Sequence, residues 1–86
     1  MCAINYVAIH ELKCVNPYFE ATILGVKRFE TRYNDRDYSI GDIVILKEWC
    51  PEKEQYSGRE FRAKIIYINN YEQKEGFINF GFKEQK

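Results

Sequence analysis

The segment Gly25-Val26-Lys27-Arg28-Phe29-Glu30-Thr31-Arg32 reads G-x-K-x-x-E-x-R, a lysine, a glutamate and an arginine following closely on a glycine. Residues two apart on an extended strand share a face, so Glu30 and Arg32 project together while Lys27 reaches towards Glu30 from the preceding loop. Gly25 supplies the backbone freedom for the sharp turn that delivers Lys27. Such a cluster presents donors and acceptors side by side. A base edge read by Glu30 and Arg32, with a phosphate held by Lys27, is one ligand that fits it. The same residues also describe a salt-bridged strand face that keeps the domain soluble and adds little stability. Residue chemistry alone leaves both readings open.

Other residues carry chemistry with a plainer reading beside it. His10, the one histidine, is equipped for proton transfer or ligand contact. It shares an extended face with Tyr6, Ala8 and Leu12, which predicts a hydrogen-bonded structural histidine. Trp49, at the end of an apolar strand and just before Pro51, offers either a ring for an unpaired base to stack on or a plug for a barrel end. Arg36, with Arg28, extends a basic edge, but Asp35 and Asp37 flank it and predict a self-neutralised turn. Arg59, Arg62 and Lys64 form a basic stripe that Glu60 interrupts, read as a solvated face. Cys2, Cys14 and Cys50 have no C-x-x-C spacing and, with a single histidine, make a poor zinc set. Reduced, partly buried thiols are expected, and no metal or cofactor is implied.

The elements that must position these residues follow from periodicity. Over residues 4–12, Tyr6, Ala8, His10 and Leu12 fall on one side and Val7 and Ile9 on the other, predicting a strand buried on both faces at its start. Asn16-Pro17 reads as an N-cap followed by proline at the first helical position. Phe19, Ile23 and Leu24 then form the apolar stripe of a helix over residues 17–24, which Gly25 ends. Phe29, Thr31 and Tyr33 alternating with Arg28, Glu30 and Arg32 predict a strand with a charged face. Asn34-Asp35-Arg36-Asp37 and Ser39-Ile40-Gly41-Asp42 are turns. Ile43-Val44-Ile45-Leu46 opens a strand, buried on both sides, that runs to Trp49. Beyond a polar stretch with breakers over residues 50–58, Phe61, Ala63, Ile65 and Tyr67 form its hairpin partner. A last strand covers residues 77–82, before a charged, frayed tail over residues 83–86. Phe29, Phe61, Tyr67, Phe77, Phe80 and Phe82 lie on strand patterns and are expected in the core. Five or so strands with one helix predict a mainly β (α+β) fold, a small closed or half-closed barrel with the helix over one opening.

A chain of 86 residues that is 45% hydrophobic fits a single domain spanning residues 1–86, and a second domain has no room. Its 13 basic residues match its 13 acidic ones, which removes the simplest case for nucleic-acid binding, a globally positive field. Any such binding must come from a local patch. No stretch approaches the ~20 apolar residues that cross a bilayer, and Met1-Cys2-Ala3-Ile4-Asn5 has no leader-like charge and apolar run. The expected setting is the cytoplasm, as a monomer, with no membrane partner.

The G-x-K-x-x-E-x-R pattern, set where a helix ends at glycine and a strand begins, resembles the signature of the ASCH domain, named for activating-signal-cointegrator homology, within the PUA-like barrels. His10-Glu11-Leu12-Lys13, the helix over residues 17–24, the turn Asn34-Asp35-Arg36-Asp37-Tyr38 and the stretch from Gly41-Asp42 to Glu48-Trp49 are similar to a small ASCH-like family of bacteria and their phages. The likeness runs from His10 to about Tyr67. It implies a small PUA-like β-barrel of about five strands with one main helix after the first strand, and a cleft between helix and barrel that takes RNA, a nucleotide or a modified base. Carried across position by position, it assigns Lys27, Glu30 and Arg32 to that cleft and makes Lys13 a lysine facing it. Arg36 and Trp49 are outlying candidates. A related branch is implied to hydrolyse N4-acetylcytidine with a lysine and a threonine of this motif. Here Glu30 stands where that threonine would be, and Thr31 alternates to the other face. A carboxylate beside a lysine also favours the ammonium ion over a general base. Binding is therefore expected ahead of catalysis. A small amidohydrolase on a modified nucleoside is the enzyme alternative, and a phage-type protein-interaction module using Trp49 and the loop over residues 51–57 is the third.

Overall fold

The computed structural model describes residues 7–85 and comprises β1 (Ile9–Cys14), α1 (Tyr18–Ile23), β2 (Phe29–Tyr33), β3 (Ile43–Cys50), β4 (Gln55–Asn69) and β5 (Phe77–Glu84). The strands pair into one curled half-barrel sheet in the order β1-β3-β4-β5-β2. β1 runs parallel to β3, and every other pair is antiparallel. The two edges of the sheet, β1 and β2, are not paired with each other, yet the Arg32 Nη2 on β2 donates to the Lys13 carbonyl on β1 at 2.7 Å. A side chain therefore bridges the open seam where a backbone ladder would close a full barrel.

Inward-facing residues fill the curl. Leu12, Val44, Leu46, Ala63, Ile65 and Phe80 are buried in one cluster that also takes in Phe61 and Phe82. α1, six residues long, is far below the ~12–15 residues at which a helix is marginally stable in water. Tertiary contacts hold it: Phe19 is fully buried, worth about 1.5–3 kcal/mol, and Thr22 is 1% exposed. The Thr22 hydroxyl donates to the Tyr18 carbonyl and so enters the core without an unpaired group.

Several expectations need correction. The first strand begins at Ile9 and buries one face only, through His10, Leu12 and Cys14, while Val7 and Ile9 are exposed; Ile4 and Tyr6 lie outside the described residues. An edge strand of a half-barrel has one face towards the core, and nothing among the described residues covers the other. In α1 the buried stripe is Phe19 and Thr22, and Ile23 and Leu24 face out. With less than two turns of helix, only the i, i+3 pair reaches the sheet. Pro17 is the N-cap, and Asn16 caps from one residue earlier by accepting the Glu20 N–H on its side-chain oxygen at 2.9 Å.

The charged face of β2 points inward: Glu30 is buried, whereas Phe29 and Tyr33 are exposed and Phe29 leaves the expected core. Tyr67 leaves it as well. The ladder of β4 with β5 skips between Ile65 and Tyr67, and this bulge shifts the alternation so that Ile68, not Tyr67, packs against the core. β4 starts at Gln55 rather than after the breakers, because Gly58, at a φ of +97°, is absorbed in a second irregularity opposite Lys47 and Trp49. The expected loop over residues 50–58 contracts to a turn over residues 51–54. β5 runs on to Glu84, and the Gln85 N–H donates to the Arg62 carbonyl at 2.9 Å, so this part of the expected tail is ordered structure.

Candidate functional site

Gly25 takes a φ of +81°, the left-handed conformation the sequence called for, and its N–H donates to the Thr22 carbonyl to end α1. The turn carries Lys27 back over the start of β2. Its ammonium donates to one Glu30 carboxylate oxygen and to the Phe29 carbonyl. The Arg32 Nε donates to the other Glu30 oxygen at 3.0 Å. Glu30 thus lies between two cations, one on each oxygen, and Arg32 continues to the Lys13 carbonyl across the seam. An ammonium has three donors, of which two are spent, and a guanidinium five, of which two are spent. The remaining donors belong to two cations whose positions are held by one carboxylate.

Beside this triad lies a cleft of about 500 Å³, within the ~300–1,000 Å³ usual for small-ligand sites. Lys13, Lys27, Glu30 and Arg32 line it together, and Tyr18 and Phe29 add rings that are 55% and 56% exposed. Tyr18 escaped sequence reasoning; its only trace there is an aromatic at the start of the helix that does not belong to the apolar stripe. Cys14 also lines the cleft, and burial, with the Glu30 carboxylate adding to it, pushes its thiol up. That favours the thiol over the nucleophilic thiolate. Thr31, which alternates with Glu30 along β2, also lines the cleft, but it is exposed and its hydroxyl donates to the Asn79 side chain.

Lys13 lines the cleft, and its carbonyl accepts from Arg32. Its ammonium sits 3.9 Å from the centre of the Trp49 ring, and Tyr56 meets Trp49 edge-on at 4.9 Å. Trp49 is therefore tied to the seam through Lys13. Arg36 lines a neighbouring cleft of about 350 Å³ that shares Lys13 and Arg32 with the first. Among the described residues no ion pair joins Arg36 to Asp35 or Asp37, so the expected self-neutralised turn is not formed. His10 has the structural role its sequence neighbours suggested. Its Nε2 is 2.8 Å from the Asp42 carboxylate, and its ring packs on Tyr38 with centroids 4.7 Å apart. Among the described residues, no group of three or more His, Cys, Asp and Glu is placed to hold a metal ion, and no helix is long and apolar enough to cross a membrane.

A second polar network went unread. Glu48 accepts from Asn16, Ser57 and Arg59 at 2.6–2.9 Å, and Arg59 also reaches Glu20 on α1 at 2.6 Å while lying over the Phe19 ring. This network ties the outer end of the β3–β4 hairpin to the helix. Arg59, with Ser57 and Asn16 adding to it, holds the Glu48 carboxyl down to about 2, from an ordinary 4.5. The folded value is the depressed one, so the network is intact above pH 4.5 and is lost as pH falls through about 2. A carbon-detected NMR titration is expected to find Glu48 still ionised at pH 3. A midpoint near the ordinary value would mean that Arg59 does not hold it.

The family described as "Domain of unknown function (DUF3850)" matches residues 9–82, nearly the whole of the described chain. The protein is a member of the DUF3850 family. This DUF3850 chain is also 42% identical over 62 residues to a protein of Escherichia phage P2 named "Uncharacterized 12.9 kDa protein in GpA 3'region". That alignment takes in 72% of the chain and 55% of the phage protein, so the chain spans little more than half of this relative's length. The DUF3850 match runs from the start of β1 to within two residues of the end of β5, so both edges of the seam and all of the triad fall inside it.

Proposed function

We propose that this DUF3850 member is a PUA-like, ASCH-type module of the cytoplasm that binds RNA, or a nucleotide or modified base, in the cleft at the barrel seam. The observation that carries the reading is the pinned pair of cations beside exposed rings. Lys27 and Arg32 are fixed by Glu30 and keep free donors, and Tyr18 and Phe29 stand at the same cleft. A phosphate or a base carbonyl meets charge-assisted donors already held in place, and a base plane meets an aromatic face. Glu30 is a positioning residue here, because both its oxygens are taken by cations. Binding is favoured over hydrolysis: the hydroxyl of Thr31, which also lines the cleft, is spent on the Asn79 side chain, the Cys14 thiol is pushed up, and Glu30 is engaged.

A two-dimensional NMR titration with uridine nucleotides and a short single-stranded RNA pool, at two salt concentrations, tests this. Shifts are expected at Lys27, Glu30, Arg32 and Phe29, and Lys27→Ala is expected to weaken binding by about tenfold, the scale of one charge-assisted contact. A well-folded spectrum unchanged by every ligand at both salts would overturn the reading and point to a protein partner.

A further inference from the structure

The seam cleft is the middle of three. It shares Lys13 and Arg32 with the cleft that holds Arg36, and it shares Lys27 with a third cleft of about 490 Å³ at the end of α1, where Arg28 lies. The three follow one another along β2 and its flanking turns, from Arg28 to Arg36. Each exceeds the ~300 Å³ at which small-ligand sites begin, so the groove has room for several units rather than one. Cations stand at both junctions, Lys27 at one and Arg32 at the other, and Arg28 and Arg36 continue the series outward. The middle cleft carries the rings of Tyr18 and Phe29, and the Arg36 cleft those of Tyr33 and Tyr56. At the centre Glu30 cancels one of the two positive charges of Lys27 and Arg32, which leaves the pair one net positive charge. In the outer clefts Glu11 pairs with Lys47, Asp35 lies beside Arg36, and Glu84 lies beside Arg28 and Lys83.

Linked nucleotides repeat a phosphate between successive bases, and positive grooves with aromatic rings are how single strands are tracked without sequence reading. Resting on the proposed function, we propose that the ligand is a single nucleic-acid strand of about three or more linked nucleotides lying along the seam. Its linking phosphates meet Lys27 and Arg32, its flanking phosphates meet Arg28 and Arg36, and its bases lie on the exposed rings.

Fluorescence anisotropy and NMR titration with uridine monophosphate, the dinucleotide and the hexanucleotide test this on the whole chain. Affinity is expected to rise with length, by about tenfold or more from monophosphate to hexanucleotide, as further phosphates and rings are engaged. Arg28→Gln and Arg36→Gln, both at exposed positions, are each expected to reduce the salt slope of hexanucleotide binding by about 0.7, one phosphate contact on a single strand. A hexanucleotide bound no more tightly than the monophosphate, or salt slopes unchanged in both variants, overturns the strand and leaves the nucleotide cleft standing. Failure of all three ligands removes the proposed function together with the strand. A deoxyribose hexanucleotide run alongside tells which sugar the groove takes, and length-dependent binding of either supports the proposal.

Discussion

Asp42→Ala is expected to lower the free energy of unfolding by about 3 kcal/mol, the range for breaking a buried charged contact. Asp42 is 6% exposed and accepts from His10 at 2.8 Å, from the Ser39 N–H at 3.0 Å and from the Ala8 N–H at 3.4 Å. It joins the segment before β1 to the turn before β3, where the Ile43 N–H donates to the Ala8 carbonyl at 2.9 Å. Truncation leaves His10 buried against Tyr38 without its partner and frees the turn that sets the β1–β3 register. For a domain of this size the melting temperature should fall by roughly 10–20 °C. Thermal unfolding followed by circular dichroism measures it, and a drop of only a few degrees would refute the role. Burial pushes the Asp42 carboxyl up, but the hydrogen bonds from His10, Ser39 and Ala8 outweigh it and hold the group below its ordinary 3.8. A depressed folded value means stability that is fully present above the unfolded value and lost as pH falls through the folded one. The wild-type protein should therefore weaken below pH 3.8, and Asp42→Asn should flatten that acid limb.

Glu30→Gln separates two accounts of the cleft. Removing a carboxylate from between Lys27 and Arg32 raises the local positive charge, so a purely Coulombic site would hold a phosphate more tightly. A site that works by positioning loses the atom that fixes both cations, and about tenfold weaker nucleotide binding is expected, as for the loss of a charge-assisted hydrogen bond. The substitution should also cost about 2 kcal/mol of stability. This lies below the usual figure for a buried pair, because Lys27 and Arg32 retain 17% and 28% side-chain exposure and water screens the unpaired charges. Denaturant unfolding and a nucleotide titration on the same variant give both numbers. Tighter binding would transfer the argument from geometry to net charge.

The triad itself was readable in the residues because it is local. Glu30 and Arg32 share a face by the period of a strand, and the positive φ at Gly25 is the reason a lysine two residues later can turn back on them. Its surroundings were not readable. Strand period says that Phe29 and Glu30 lie on opposite faces and is silent on which faces in. Apolar content argued for Phe29, and the structure chose Glu30, since two cations neutralise it inside the curl. Tyr67 obeyed its pattern until a one-residue bulge reversed the phase, and nothing in the composition of residues 61–69 marks where that bulge falls.

What the sequence determined by itself are the properties set within a few residues: five strands, a helix stopped at Gly25, and a lysine, a glutamate and an arginine able to meet. Only the tertiary structure decided that β1 and β2, with β3, β4 and β5 between them in the sheet, close on each other through Arg32 and the Lys13 carbonyl. It also decided that Arg59, read as a solvated stripe, holds Glu48 and Glu20. The physical reason is the same in both cases. Sheet curl and bulges set long-range distances, and hydrogen bonds with a reach of about 3 Å form only after those distances exist.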